Sequence, residues 1–166
     1  VAVMHIEIHG RRDADAPTLV FSSGLGGAAH FWMPQLDALT SDYRVVLYDQ
    51  LGTGKSPAAL PADYSIDAMA SELRTLLASH GIGDYHLIGH ALGGLVGLTL
   101  AMQQAPGLRS LTLMNAWSRV SPHTARCFSV RKQLLAGSGP AAYVEAQALF
   151  LYPPDWIAAN IAQLEA

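Results

Sequence analysis

Apolar positions along this chain follow two rhythms, and the two alternate. Met4-His5-Ile6-Glu7-Ile8-His9 switches between apolar and polar at every step, the mark of a half-buried strand. Thr18 to Ser22 and Arg44 to Tyr48 are short apolar runs that predict buried strands. A helix is predicted from about His30 to Leu39. Ile66, Met69, Ala70, Leu73, Leu76 and Leu77 then recur at helical spacing, with Ser65 placed to cap the start and Gly81 to end it. Tyr85 to Ile88 reads as a strand, and Leu95, Val96, Leu98, Thr99, Leu100 and Met102 as a helix that stops before Pro106. Ser110 to Asn115 reads as a further strand. Strands alternating with helices predict βαβ units, hence an α/β fold with a mostly parallel sheet covered on both faces. No internal repeat or low-complexity tract interrupts the pattern.

From Trp117 the rhythm changes. His123 to Leu135, Ala141 to Phe150 and Asp155 to Leu164 predict three helices, punctuated by Gly137-Ser138-Gly139-Pro140 and Pro153-Pro154. No strand alternates with them. The expected division is therefore 1–116 for the αβ core and 117–166 for a helical cap, with the chain ending inside that cap.

Composition narrows the class. The chain has 166 residues, 51% hydrophobic and 14% charged, which favours one well-buried domain over disorder. Its net charge of −3 gives no reason to expect a nucleic-acid partner. Cys127 is the single cysteine, so there is no intramolecular disulfide framework, and a reducing cytoplasm suits the chain. No apolar run reaches the roughly 18 residues of a membrane span, so no membrane partner is expected. His5 and His9 share a strand face, but no carboxylate or cysteine cluster completes a metal site there, and a solvated face accounts for them. No metal or organic cofactor is expected.

The chemistry gathers around Gly89-His90-Ala91-Leu92-Gly93. It lies between a strand and a helix, where a Gly-x-Ser-x-Gly nucleophile elbow holds a serine at the carboxyl end of a sheet. Its centre here is Ala91, which cannot attack anything. A second glycine loop, Gly24-Leu25-Gly26-Gly27, follows the Thr18–Ser22 strand. It is placed to aim the Leu25 N–H at an oxyanion, with the Leu92 N–H as the second donor. A third, Asp49 to Ser56, ends in Gly-Lys-Ser but has Asp49 where a phosphate-binding P-loop needs its first glycine. It also leads into Pro57 rather than a helix, so phosphate binding is rejected.

These motifs resemble the α/β-hydrolase fold, and closely one branch of it, the aminoacrylate or carbamate hydrolases of the bacterial Rut pyrimidine-utilisation pathway. The resemblance runs from about Thr18 to Glu165. It rests on SGLGG (Ser23–Gly27), YDQLGTG (Tyr48–Gly54), DYSIDAMASEL (Asp63–Leu73), GHALGGLVG (Gly89–Gly97), HTARCFSVRKQLL (His123–Leu135) and VEAQALFLYPPDW (Val144–Trp156). It implies uracil breakdown, a small anionic substrate and ammonia as a product. Leu51 departs from the arginine that this branch usually carries after Asp-Gln. The fold carries its acid and catalytic His on later strands, so both are expected beyond residue 166.

Without an elbow serine, the oxyanion hole and binding alone leave ~10³–10⁴-fold catalysis over water. That suits substrates which break down unaided. A water activated by a histidine would replace the serine. His90 is the local candidate base, although elbows commonly place a structural residue there. Cys127 as a substitute nucleophile is weaker. No acidic residue falls between Asp84 and Glu145, whereas Arg109, Arg119, Arg126, Arg131 and Lys132 do. The basic cap would hold a small carboxylate, with Gly24, Arg126 and Arg131 as substrate contacts; an ordinary solvated helix face accounts for the same charges. A non-catalytic small-molecule-binding protein on the same fold is the rival function. Further parallel strands normally follow a strand such as Ser110–Asn115, so an unpaired apolar edge is expected, with poor solubility or association of the 166-residue chain; among partners a homodimer is the expectation.

Overall fold

The computed structural model describes residues 4–164. Its contacts divide the chain between Ser118 and Arg119 into two compact units.

The first unit is built on a five-stranded sheet of β1 (Ile6–Gly10), β2 (Thr18–Ser22), β3 (Arg44–Tyr48), β4 (Tyr85–His90) and β5 (Leu108–Met114). The order across it is β1-β3-β2-β4-β5. Only β1 pairs antiparallel, with β3; the other three pairings are parallel. A 3-10 helix (Ala29–Gln35) and α1 (Leu36–Leu39) join β2 to β3, α2 (Ile66–Ser79) joins β3 to β4, and α3 (Leu92–Met102) joins β4 to β5.

Two apolar clusters lie on opposite faces of the sheet. Val20, Val46 and Leu87 pack with Leu73 and Leu77 of α2 and Val96 and Leu100 of α3. Phe21, Val45 and Leu47 pack with Trp32 and Leu36. Alternate residues of β2 and β3 feed opposite clusters, which is why those strands read as continuous apolar runs rather than as alternation. Each fully buried leucine contributes about 2 kcal/mol of burial.

Local chemistry explains where the elements differ from expectation. The segment expected as a helix over His30–Leu39 begins as a 3-10 winding, because Pro34 removes a donor from its middle. Only Leu36–Leu39 is α-helical. Strand β4 runs two residues past Ile88, since Gly89 and His90 pair with Leu113 and Met114 of β5. Ser65 caps α2 as expected, its side chain accepting the Ala68 N–H at 3.2 Å. Strand β5 starts two residues earlier than Ser110 and ends before Asn115, which takes a left-handed φ of 51°.

The second unit is helical. α4 (Pro122–Leu151) contains both segments expected as separate helices, His123–Leu135 and Ala141–Phe150. They are its two arms, divided by non-helical backbone at Gly139 (φ 86°, ψ −178°) just ahead of Pro140. The segment expected over Asp155–Leu164 is two short helices, α5 (Pro154–Ala159) and α6 (Ile161–Leu164), separated by Asn160. Arg131 is the one buried residue of α4, and α5 and α6 have none. No helix among the described residues is long and apolar enough to cross a membrane.

Candidate active site

At the carboxyl end of β4 the chain turns sharply into α3, and the turn is strained. Ala91 sits at φ 48°, ψ −112°, a region that a residue with a Cβ seldom enters. The surroundings over-determine it. The Ala91 N–H donates to the Met114 carbonyl at 2.9 Å, and the Ala91 carbonyl accepts the Gly94 and Leu95 N–H groups at 3.0 and 3.2 Å. A Cβ on Gly89 would lie 2.5 Å from the Gly93 carbonyl oxygen, and one on Gly93 would lie 2.1 Å from that of Ser22. The glycines are therefore what lets α3 begin this close to β2 and β4. Leu92, the first residue of α3, directs its N–H out of the helix end, where developing negative charge is favoured.

The Ser23–Gly27 loop meets this turn. A Cβ on Gly24 would lie 3.0 Å from His90 Nδ1 and 3.4 Å from the Ala91 methyl. Gly24, His90 and Ala91 thus converge, and Leu25 follows directly, 53% exposed. Neither the Leu25 nor the Leu92 N–H bonds a backbone acceptor among the described residues. His90 is half-buried and stacks on Phe31 at 5.1 Å and 20°. That contact fixes the plane of its ring. Phe31 in turn meets Trp32 edge-on at 4.9 Å.

Sequence reasoning missed the residues that hold this loop. Asp49, 2% exposed, accepts the Ala29 N–H at 2.6 Å on one carboxylate oxygen and the Lys55 N–H at 2.7 Å on the other. Gln50 donates to the Ser23 carbonyl at 3.1 Å. Trp32 donates through Nε1 to Ser23 Oγ at 3.0 Å, and Ser23 Oγ donates to the Ala28 carbonyl at 3.1 Å. Tyr48, whose phenol burial pushes up to about 12, bonds Ser22 Oγ at 2.6 Å directly beneath Gly93. The only sequence signal was a polar Asp-Gln pair ending an apolar strand.

Other candidates fall elsewhere. The Gly52–Ser56 loop closes on itself through the Gly52 N–H to the Ser56 carbonyl at 2.8 Å. Lys55 reaches Glu7 at 3.3 Å and does not face a phosphate cradle. His5 and His9 do not simply face solvent: each ring meets Glu7, at 2.8 and 3.1 Å. The His5 bond, joined by His9 and Lys55, holds the Glu7 carboxyl down at about 2. No group of three or more metal-ligating side chains forms among the described residues. Arg109 is taken up by Asp84 at 2.6 Å. Arg126 and Arg131 belong to the helical unit, where Arg126 is exposed and Arg131 buried. Cys127 lies 3.7 Å from His123 Nε2 on the same helix. A cavity of about 640 Å³ lined by Arg74, Leu77, Ile82, Tyr85, Pro106 and Gly107 sits at the opposite, amino end of β4.

A family model described as the alpha/beta hydrolase fold matches residues 17–143. A curated protein named "Putative carbamate hydrolase RutD" from Stutzerimonas stutzeri (strain A1501) is 66% identical over 161 residues, covering 97% of this chain and 61% of that protein. One of the same name from Escherichia coli (strain UTI89 / UPEC) is 50% identical over 165 residues, 99% of this chain and 60% of the other. The chain thus spans about three-fifths of the length of the curated relatives it matches. Among solved structures, the enol-lactonase from Burkholderia xenovorans LB400 superposes with a TM-score of 0.84 at 28% identity, over 98% of this chain and 61% of that one. An alpha/beta hydrolase from a Medee basin deep-sea metagenome library gives 0.87 at 18% identity, covering 98% and 58%, a likeness of fold alone.

Proposed function

The chain belongs to the α/β-hydrolase fold family, and we propose that it hydrolyses the C–N bond of a small acid, carbamate or aminoacrylate, with release of ammonia. The observation that carries this reading is Ala91, held in the strained geometry of a nucleophile elbow with no nucleophile on it. What this site retains is backbone: a helix-start N–H at Leu92 and a glycine loop beside it. Those groups stabilise negative charge on oxygen as it develops.

In the proposed reaction water supplies the attacking oxygen. For carbamate, H₂N–CO₂⁻ and H₂O give NH₃ and HCO₃⁻. The C–N bond breaks, and one proton of the water leaves with the nitrogen. For the enamine acid, the same addition of water gives a carbonyl compound and ammonia. A base draws the proton from the water; we assign that role to a histidine, either His90 or one carried beyond residue 166, with an acid partner also beyond it. The likeness to curated relatives named for carbamate hydrolysis supports the substrate class. Uracil catabolism in the cytoplasm is the setting we infer.

The test is ammonia release from carbamate and 3-aminoacrylate by protein expressed from the complete reading frame. We expect turnover above the uncatalysed rate without a burst. Ala91→Ser places a nucleophile in a geometry built for one, and should gain hydrolysis of activated esters with a burst of the first product. A covalent intermediate trapped on the unmutated protein would sink the water-attack route. Absence of any turnover would leave a small-molecule-binding protein.

A further inference from the structure

In the helical unit the one buried side chain of α4 is a charged one. Arg131 is 7% exposed and forms no ion pair among the described residues. Its guanidinium carbon lies 5.1 Å from the ring centre of Phe128 and 5.0 Å from that of Tyr143. Nη2 donates to the Tyr143 hydroxyl at 2.5 Å. Nε–H is out of solvent and meets no acceptor among the described residues. Having accepted from Nη2, the Tyr143 hydroxyl keeps its own proton, and no acceptor for it is found among the described residues.

Buried charges are ordinarily paired, because an unpaired one forfeits its hydration without return. Two aromatic faces recover part of that loss but supply no acceptor for an N–H. The edge that carries Nε–H and Nη2 is the edge on which a guanidinium grips a two-oxygen anion. Two donors, Nε–H and the Tyr143 O–H, thus lack an acceptor among the described residues, beside a positive charge with no counter-ion there. The neighbouring basic groups do not share this character: Arg119, Arg126 and Lys132 are all exposed.

We propose that Arg131 and Tyr143, with Phe128 behind them, bind the planar CO₂⁻ group of a small carboxylate on the helical unit. One oxygen takes Nε–H and the other the Tyr143 O–H. The inference stands on the helical unit alone, and it rests on the hydrolase reading only for the choice of a small carboxylate as ligand class, since carbamate and aminoacrylate both carry that group. It also selects between the two expected arginine contacts, in favour of Arg131 over Arg126.

Arg131 and Tyr143 lie on opposite arms of α4, so a purely structural clasp across Gly139 must be told apart from a binding site. Protein from the complete reading frame is titrated calorimetrically with propionate, bicarbonate and neutral propionamide. Propionate stands for a three-carbon acid and bicarbonate for the one-carbon anion. Binding of one or both anions, and none of propionamide, is expected. Arg131→Gln should weaken anion binding about tenfold or more and Tyr143→Phe about threefold, while Arg126→Gln stays within about twofold. A clasp would lower the melting temperature of Arg131→Gln yet leave anion affinity within about twofold, which overturns the proposal. If that variant does not fold, the arginine Nε–H resonance of the unmutated protein, assigned through Arg131→Lys, should move with added anion. An unmoved resonance also overturns it. Anion binding with no dependence on Arg131 would remove this site and leave the hydrolase reading to the ammonia assay. Arg131-dependent anion binding without ammonia release would do the reverse.

Discussion

At the elbow, glycines stand where any added methyl would collide with the protein. A Cβ on Gly93 would lie 2.1 Å from the Ser22 carbonyl, and one on Gly94 2.4 Å from the Ala116 methyl. In the helical unit, a Cβ on Gly137 or Gly139 would meet nothing within 4 Å. The first unit fixes its backbone by close approach and buries its apolar side chains on both faces of a sheet. In the second, Leu149, Val144 and Leu151 are 72%, 64% and 56% exposed, and the side chain removed from water on α4 is an arginine. Pre-organisation therefore resides in the first unit. The groups proposed to meet developing charge, the Leu92 and Leu25 N–H, both belong to the first unit. A site that must stabilise a transition state needs fixed dipoles.

Gly93 carries the largest expected effect. Gly93→Ala forces its methyl into backbone that cannot yield, and should cost about 3 kcal/mol or more in urea unfolding. A loss below about 1 kcal/mol would mean the elbow is far softer than its contacts indicate.

Asp49 comes next. Its two oxygens take two separate N–H groups, whereas an amide in Asp49→Asn offers one acceptor and turns a donor towards the other. We expect about 2 kcal/mol of destabilisation. Turnover should fall by more than the stability loss alone explains, because the Ala29 end of the loop proposed to carry the Leu25 oxyanion donor is released. Unchanged turnover in a stably folded Asp49→Asn would detach this carboxylate from the site.

The Glu7 cluster at the sheet edge gives a pH signature. Its carboxyl is held at about 2 against an ordinary value of 4.5, chiefly by the bond from His5. A depressed folded value means the contribution is complete above the unfolded value and is lost as pH falls from about 5 towards 2. Every tenfold loss of proton affinity corresponds to about 1.4 kcal/mol, less what solvent screens at a side chain one-quarter exposed. Glu7→Gln should therefore flatten the acid limb of the stability curve and leave the rest of its shape. An unaltered limb would assign acid lability elsewhere.

A near-neutral change is expected in the helical unit. Leu149→Ala, at a position 72% exposed, should alter stability by less than about 0.5 kcal/mol. A loss of about 2 kcal/mol would show that this face is covered in solution, and would erase the contrast between the two units.

Much of this molecule is legible in its sequence. Period-two and apolar runs mark the strands, helical spacing and Ser65 mark α2, and Gly-His-Ala-Leu-Gly between a strand and a helix marks the elbow and its missing nucleophile. Those features are local, written within a few residues of where they act. What depends on chain far away is not written there. Pairing with β5 carries β4 on to His90, and Asp49 finds its role only when Ala29 and Lys55 fold onto its two oxygens. Glu7 gathers His9 from its own strand, His5 from just before it and Lys55 from a loop 48 residues on. Composition places Arg126 and Arg131 on equal terms, because two arginines five positions apart carry the same charge. Only tertiary packing distinguishes them, by taking one out of water between two rings, where a guanidinium without a counter-ion becomes a demand for one.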